Sequence, residues 1–243
     1  MTITVMDTET TGLDAAKDKI VEIAGLNLTK VPDGLFRAEN IRQHLVDPGM
    51  TIPAQASAVH HIIDADVRGK PPIGDIIPFY CAKDRLVVVA HNCDFDRGFL
   101  EPEFNECEQA VEWICTYKSA LRAWPDLPSH SNQFLRYHFG YIDPLGVSRH
   151  EVAAHRAISD CYVTACVFLE LLQTVSFANM LRWTKEPALK TRLNFGKHKG
   201  DKYIDHPDFC QWILTKDFDA STKFSAQYWL DLANANKTAE DAA

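Results

Sequence analysis

Three short polar segments, far apart in the 243-residue chain, carry residues able to bind cations and move protons. The first is Asp7-Thr8-Glu9, at the end of the β-branched run Thr2 to Met6. If that run is a strand, side chains two apart share a face. The two carboxylates then stand roughly 6.5 Å apart along the backbone, close enough to converge on one ion. An acid-x-acid pair is also common on a solvent-facing strand edge, so the pair alone fixes nothing. The second segment, His91-Asn92-Cys93-Asp94-Phe95-Asp96, follows Leu86 to Ala90, which is apolar at consecutive positions, as suits a strand covered on both faces. A polar cluster at the carboxyl end of such a strand is where α/β folds place their sites. Asp96 has a second explanation as an acid in the first turn of a helix, and Phe95 as a core anchor. The third segment runs from His155 to Asp160 and opens a helix whose Ala157, Cys161, Ala165, Phe168 and Leu172 recur at three- and four-residue steps. Asp160 lies beside that stripe and can face the sheet. His155 lies at the helix's positive end, which disfavours the imidazolium and suits a base; its other reading is an ordinary surface histidine.

The elements that must hold these residues follow an α/β pattern. Strands are expected at Thr2 to Met6, Ile20 to Leu28, Leu35 to Val46 after a Pro32-Asp33-Gly34 turn, Leu86 to Ala90, and Glu112 to Cys115. Helices are expected at Pro53 to His60, Ile73 to Ala82, Tyr117 to Ala123, Asn132 to Phe139 and Arg156 to Thr174. The periodicity divides the chain into a main domain over 1–178, a basic linker over 179–193, a small α/β module over 194–232 and a frayed tail over 233–243. Within the module, Leu193 to Gly200 reads as a strand and turn, Pro207 opens a short helix, and Ser221 to Leu232 forms another.

Composition bounds the rest. With 46% hydrophobic, 24% charged and 10% aromatic residues, the chain has a globular balance, and disorder, collagen-like structure and coiled coil are excluded. At this length folding buries roughly 70% of the unfolded surface, enough for one sizeable core. The amino terminus reaches a carboxylate at Asp7 without a signal-peptide pattern. Uninterrupted apolar runs fall far short of the roughly 20 residues of a membrane span. Seven cysteines, at 81, 93, 107, 115, 161, 166 and 210, make an odd number with no Cys-x-x-Cys pair. Reduced thiols and a cytoplasmic location away from membranes are the expectation. The net charge of −8 is uneven: Arg182 to Lys202 holds seven basic residues against two acids, a net +5, leaving −13 elsewhere. An acidic total suits a protein that gathers carboxylates around divalent cations.

In this order and context, the three segments resemble the motifs of the DEDDh branch of the DnaQ-like 3′-to-5′ exonucleases. Asp-x-Glu-Thr-x-Gly is matched by Asp7, Glu9, Thr10 and Gly12; His-Asn-x-x-Phe-Asp by His91, Asn92, Phe95 and Asp96; His-x-Ala-x-x-Asp by His155, Ala157 and Asp160. Further matches point to the exodeoxyribonuclease X-like subgroup. They include Ile52-Pro53 with Ala56, Ser57, Val59, His60 and Ile62, Trp113 to Thr116, Trp124-Pro125-Asp126, and the module's Phe195-Gly196-Lys197 turn and Trp212 helix. His61 departs from the pattern, since relatives usually place glycine there.

The resemblance implies an α/β, ribonuclease H-like mixed five-stranded sheet with flanking helices. It also implies two divalent metal ions, Mg²⁺ or Mn²⁺, a choice that oxygen-only ligands favour over zinc. Asp7 would bridge both ions, Glu9 and Asp160 would complete one shell, and Asp96 would contribute directly or through water. His155 would be the general base. Without cations, four such carboxylates would be partly protonated or disordered, and chelation would abolish activity. Backbone amides around Thr8 to Thr11, with Thr8 and Thr10 foremost, and the side chain of Leu13 lie where relatives hold the terminal nucleotide; Leu13 is otherwise a turn residue in a minor core. Asn92 could fix ligand geometry or a phosphate, and His60 could shape the cleft or simply pack. Lys197, His198, Lys199 and Lys202 read equally as a phosphate track or a solvated face. The implied partner is nucleic acid, foremost DNA 3′ ends, cleaved to 5′-monophosphates in repair or recombination. An RNA 3′-exonuclease of the same branch and a non-catalytic end-binding module are the rivals, and the intact carboxylate and histidine set argues against the second.

Overall fold

The computed structural model describes residues 1–31 and 36–241; the expected turn at Pro32-Asp33-Gly34, and Leu35, lie outside them. Five strands, β1 (Thr2–Thr10), β2 (Ile20–Lys30), β3 (Phe36–Leu45), β4 (Leu86–Ala90) and β5 (Val111–Cys115), form one sheet in the order β3-β2-β1-β4-β5. The meander β1-β2-β3 is antiparallel, and β4 and β5 add in parallel on the other side of β1. The helices are α1 (Ala54–His60), α2 (Asp64–Val67), α3 (Ile73–Ile76), α4 (Asp94–Glu106), α5 (Thr116–Ala123), α6 (Asn132–His138), α7 (Ala157–Thr174), α8 (Phe177–Lys185), α9 (Pro207–Leu214) and α10 (Ala220–Asp241). This is the expected mixed α/β sheet with helices on both faces.

Strand alternation explains the two layers. Val5, Val87 and Val89 join one core with Ala157, Cys161, Val163 and Phe168 of α7, Ala120 of α5, Leu135 of α6 and Met180 of α8. Met6, Leu86, Val88 and Ala90 face the opposite core, filled by Phe99, Leu100 and Phe104 of α4 with Ile77 and Tyr80. The consecutive apolar residues of β4 are therefore divided between two cores. Helix α7 is long and apolar enough to cross a bilayer by composition, but it lies across β1 and β2 and buries its stripe there.

The structure corrects four local expectations. Residues 179–185, read as part of a basic linker, belong to α8, which starts where the Ser176 hydroxyl accepts the Asn179 N–H and buries Met180 and Thr184 beside β5. The basic residues lie on its outer side, and that polarity masked the helical period. The segment Leu193 to Gly200, expected as a strand and turn, forms no strand: it is flanked by a single bridge, Arg192 with Lys202, because Gly196 and Gly200 take left-handed conformations and turn the chain. The helix expected over 73–82 divides into α3 and a 3₁₀ turn at Ile77–Tyr80, where Pro78 interrupts the α ladder. The stretch 233–241, read as tail, continues α10. The module has its own small core of Leu193, Tyr203, Cys210, Ile213, Ala226 and Leu230. All seven cysteines are free.

Candidate active site

Strand β1 carries Asp7 and Glu9 on the face of Val5, towards α7, while Thr8 follows Met6 to the other face. Asp160, in the first turn of α7, points at the same place, and carboxylate oxygens of Asp7, Glu9 and Asp160 lie within 4.8 Å of one another. Asp160 is held from behind. Its Oδ2 accepts the His155 backbone N–H at 2.9 Å, and its Oδ1 accepts from Gln133 at 3.1 Å and Asn132 at 3.3 Å. Asp96 arrives from the other layer. Its Oδ1 accepts both the backbone N–H (3.0 Å) and the hydroxyl (2.8 Å) of Thr8, so the residue between the two β1 carboxylates ties α4 to them.

The electrostatics are those of an anionic cluster short of counter-charge. Burial, then the neighbouring Asp96, Asp160 and Glu9, push the Asp7 carboxyl well above the usual range. Burial, Asp160 and Glu22 push Glu9 up to about 8. Burial raises Asp96 to about 7 although the Thr8 hydrogen bonds oppose it, and burial raises Asp160 against its own donors. Protonation is thus favoured in the absence of cations, as the sequence led us to expect. An all-oxygen donor set with raised proton affinity fits a hard divalent cation.

The sequence reading missed Glu22. It lies opposite Glu9 on β2 with 0% of its surface exposed. Its carboxylate accepts from Arg156 Nη2 (2.7 Å) and Nε (3.2 Å), from the Ala157 backbone N–H (3.0 Å) and from Gln43 (2.7 Å). Burial acts to raise its pKa, but these donors outweigh it and hold Glu22 below the ordinary value. The group therefore stays ionised and anchors the amino-terminal end of α7, on which Asp160 sits. A lone acid inside the otherwise apolar run Ile20 to Leu26 was the available signal.

The other expected site residues are placed as follows. His155 is exposed, in a left-handed conformation (φ 59°), one residue before the Arg156 cap of α7. Thr10 is buried, and its hydroxyl donates to the Gly12 carbonyl at 2.5 Å. A Cβ at Gly12 would strike the Asp18 carboxylate, which would have to move aside. Leu13 is 87% exposed, which removes its reading as a minor-core residue. Asn92 is exposed and left-handed (φ 61°), with its carbonyl accepting the Phe95 N–H at the start of α4. His60 is buried; its Nδ1 accepts the Ile62 N–H at 3.0 Å, burial lowers its pKa, and the Thr10 backbone partly offsets that. His91 ties the end of β4 to Thr116 and to the His130 carbonyl, both at 2.9 Å, and burial takes it down to about 4. A second convergent group, His198, Asp201 and His206, lies in the module.

Residues 4–168 match the RNase_T exonuclease family model. The chain belongs to this exonuclease family. It is 36% identical over 218 residues to exodeoxyribonuclease 10 of Escherichia coli K12, covering 86% of this chain and 89% of that protein. It is also 30% identical over 173 residues to the DNA polymerase III subunit epsilon of Treponema pallidum, covering 70% and 75% of the two chains. Among solved structures, exonuclease X in complex with 5′-overhanging duplex DNA superposes with a TM-score of 0.57 at 33% identity, over 75% of this chain and 99% of that one. Escherichia coli exonuclease I bound to a dT13 oligonucleotide shares the fold at 16% identity and a TM-score of 0.54, over 75% of this chain and 43% of that one. The chain is an exonuclease X homologue with the ribonuclease H-like exonuclease fold. The carboxylate group described above could hold a metal ion.

Proposed function

We propose that this exonuclease removes nucleotides from DNA 3′ ends in a divalent-cation-dependent reaction that releases nucleoside 5′-monophosphates, in repair or recombination. The convergence of Asp7, Glu9 and Asp160 at the end of β1 supports this reading above all else. These three residues, with Asp96 directly or through water, would hold two Mg²⁺ or Mn²⁺ ions. When bound, such ions neutralise the charge that grows on the phosphoryl oxygens and make water easier to deprotonate.

Each protein group then has a defined task. The His155 imidazole, exposed beside Asp160, takes the proton of the attacking water, for which an imidazole is suited near neutral pH. Thr8 fixes Asp96 by its two hydrogen bonds. Thr10 and Gly12 shape the tight turn that presents Leu13, whose exposed side chain meets the terminal base. The exposed Asn92 would meet a phosphate, and the buried His60, beside the Thr10 backbone, would shape the cleft. Relatives whose names or titles specify DNA support the choice of substrate.

The test is a turnover assay on end-labelled single-stranded DNA, duplex DNA and RNA with and without Mg²⁺, run alongside Asp160→Ala. Release of 5′-monophosphates from DNA 3′ ends, lost in chelator and in the variant, is expected. Full-rate hydrolysis by the metal-stripped enzyme would refute the mechanism, and preference for RNA would refute the substrate.

A further inference from the structure

The basic stretch between α8 and α9 has a place in the fold that its composition alone did not reveal. It forms one wall of a groove of about 490 Å³ whose other wall is the loop before α6. Lys190, Arg192 and Lys199 line the first wall, His130 and Ser131 the second, and Tyr117 of α5 joins the lining. No Asp or Glu lines this groove in a chain of net charge −8, whereas four other surface cavities each include at least one carboxylate. Among the described residues, Arg192 and Lys199 make no ion pair, and Lys190 approaches Asp219 only at 3.9 Å.

The cations stand on a fixed frame. The Lys190 N–H donates to Ser225 (2.8 Å) while its carbonyl accepts from the Trp229 indole (2.8 Å). The Arg192 guanidinium donates to the Gly200 carbonyl (2.9 Å), and Lys202 bridges to Asp126 of the exonuclease domain (2.6 Å). The opposite wall leads straight to the carboxylates. Ser131 caps α6, and the next two residues, Asn132 and Gln133, donate to Asp160. The carbonyl of His130 accepts from His91, and Tyr117 meets the His91 ring edge-on at 5.8 Å.

We propose that this groove binds the digested strand itself, holding the phosphates of nucleotides lying 5′ of the one being removed. Cationic side chains facing an aromatic ring are the combination that tracks single-stranded nucleic acid without reading sequence. The module thereby acts as a clamp that extends the enzyme's hold on its substrate. The inference rests on the exonuclease reading of the adjacent site, and its test separates the two.

The full chain and its Lys190→Gln/Arg192→Gln/Lys199→Gln variant are compared in two measurements. One is fluorescence-anisotropy binding of a single-stranded 15-mer in chelator; the other is steady-state hydrolysis of that 15-mer and of a dinucleotide with Mg²⁺. The variant is expected to bind the 15-mer at least about tenfold more weakly, with the slope of log Kd against log salt reduced by about 2, at roughly 0.7 for each phosphate no longer neutralised. KM for the 15-mer rises in parallel, while kcat and dinucleotide hydrolysis stay unchanged. Lys199→Gln alone lowers the slope by about 0.7, which guards against misfolding of the triple variant. Equal 15-mer affinity in the two proteins overturns the proposal, as does an equal loss on the dinucleotide. A wild-type enzyme inactive on both substrates refutes the exonuclease reading, and the anisotropy comparison still decides the groove.

Discussion

Among the described residues, two places bring three potential cation ligands within 4.8 Å of one another, and they differ in what they lack. Asp7, Glu9 and Asp160 are all acids, carried on a central strand and a core helix, with Asp96 and Glu22 adding to the negative potential. His198, Asp201 and His206 are partly exposed on the module's turn, where the two imidazoles stack at 3.7 Å and both face the Asp201 carboxylate, at 3.5 and 3.0 Å. The second group already contains complementary partners. The first contains none, and the fold holds its members together against mutual repulsion. Converging ligand atoms are thus a weak criterion for a metal centre; a deficit of counter-charge that the scaffold enforces is a stronger one.

The widest separation between the two regions should appear in catalysis. Asp7→Asn is expected to lower turnover by on the order of 10³-fold or more. A His198→Ala/His206→Ala variant is expected to keep turnover within about twofold on short DNA, as surface changes away from the site do. Comparable losses from both, in the same end-labelled assay, would break the comparison.

A second difference concerns protons. Glu9 titrates at about 8 in the cation-free fold against the ordinary 4.5. The unfolded chain gives up this proton first, so the cation-free protein loses stability as pH rises from about 4.5 to about 8, with no further loss from Glu9 above that. Below about 4.5 the group is protonated in both states and contributes nothing to the slope. Binding of Mg²⁺ or Mn²⁺ at pH 7 should therefore release protons, and affinity should climb towards pH 8. Calorimetry in buffers of different ionisation heat measures that release. Cation binding at pH 7 without proton release would show that the acidic cluster carries no such deficit.

Glu22 tests the scaffold in place of the ligands. Glu22→Gln keeps the shape but gives up the charge that pairs with Arg156. A drop of roughly 10- to 100-fold in kcat is expected from the freer amino terminus of α7, with little change in KM on short DNA. Unchanged kcat would mean that the His155 N–H, Asn132 and Gln133 hold Asp160 without help from Glu22.

The cluster's members were legible in the sequence because their spacing is local: i and i+2 on a strand, a polar break after an apolar run, the first turn of a helix. Glu22 was not, because its role depends on register. Only the pairing of Glu9 with Glu22 reveals that a lone acid in an apolar strand faces the site and not solvent. The sheet was legible from the same periodicities. Helix α8 was hidden because its apolar Phe177, Met180 and Leu181 and its buried Thr184 are interspersed with Arg182 and Lys185, so composition suggested a linker where the three- and four-residue steps mark an amphipathic helix. The groove beside it could not be read at all, since it exists only once the module has docked.

A parallel comparison is offered by two histidines in left-handed conformations, His155 (φ 59°), proposed as the general base, and His61 (φ 62°). His61 closes α1 as its carboxyl-terminal cap, a position where glycine adopts the same backbone without a Cβ penalty. Relieving the strain at either residue should stabilise the fold, but glycine's greater freedom in the unfolded chain offsets part of the gain. His61→Gly is expected to add up to about 1 kcal/mol, a rise in Tm of roughly 2–4 °C at this chain length, with activity unchanged. His155→Gly should raise Tm comparably but lower turnover by roughly 10²- to 10⁴-fold, the contribution of a general base. Thermal unfolding and turnover measured on both variants locate the difference. If His155→Gly stabilises the protein and leaves turnover intact, the strained backbone before α7 serves only to present its N–H to Asp160, and the base lies elsewhere.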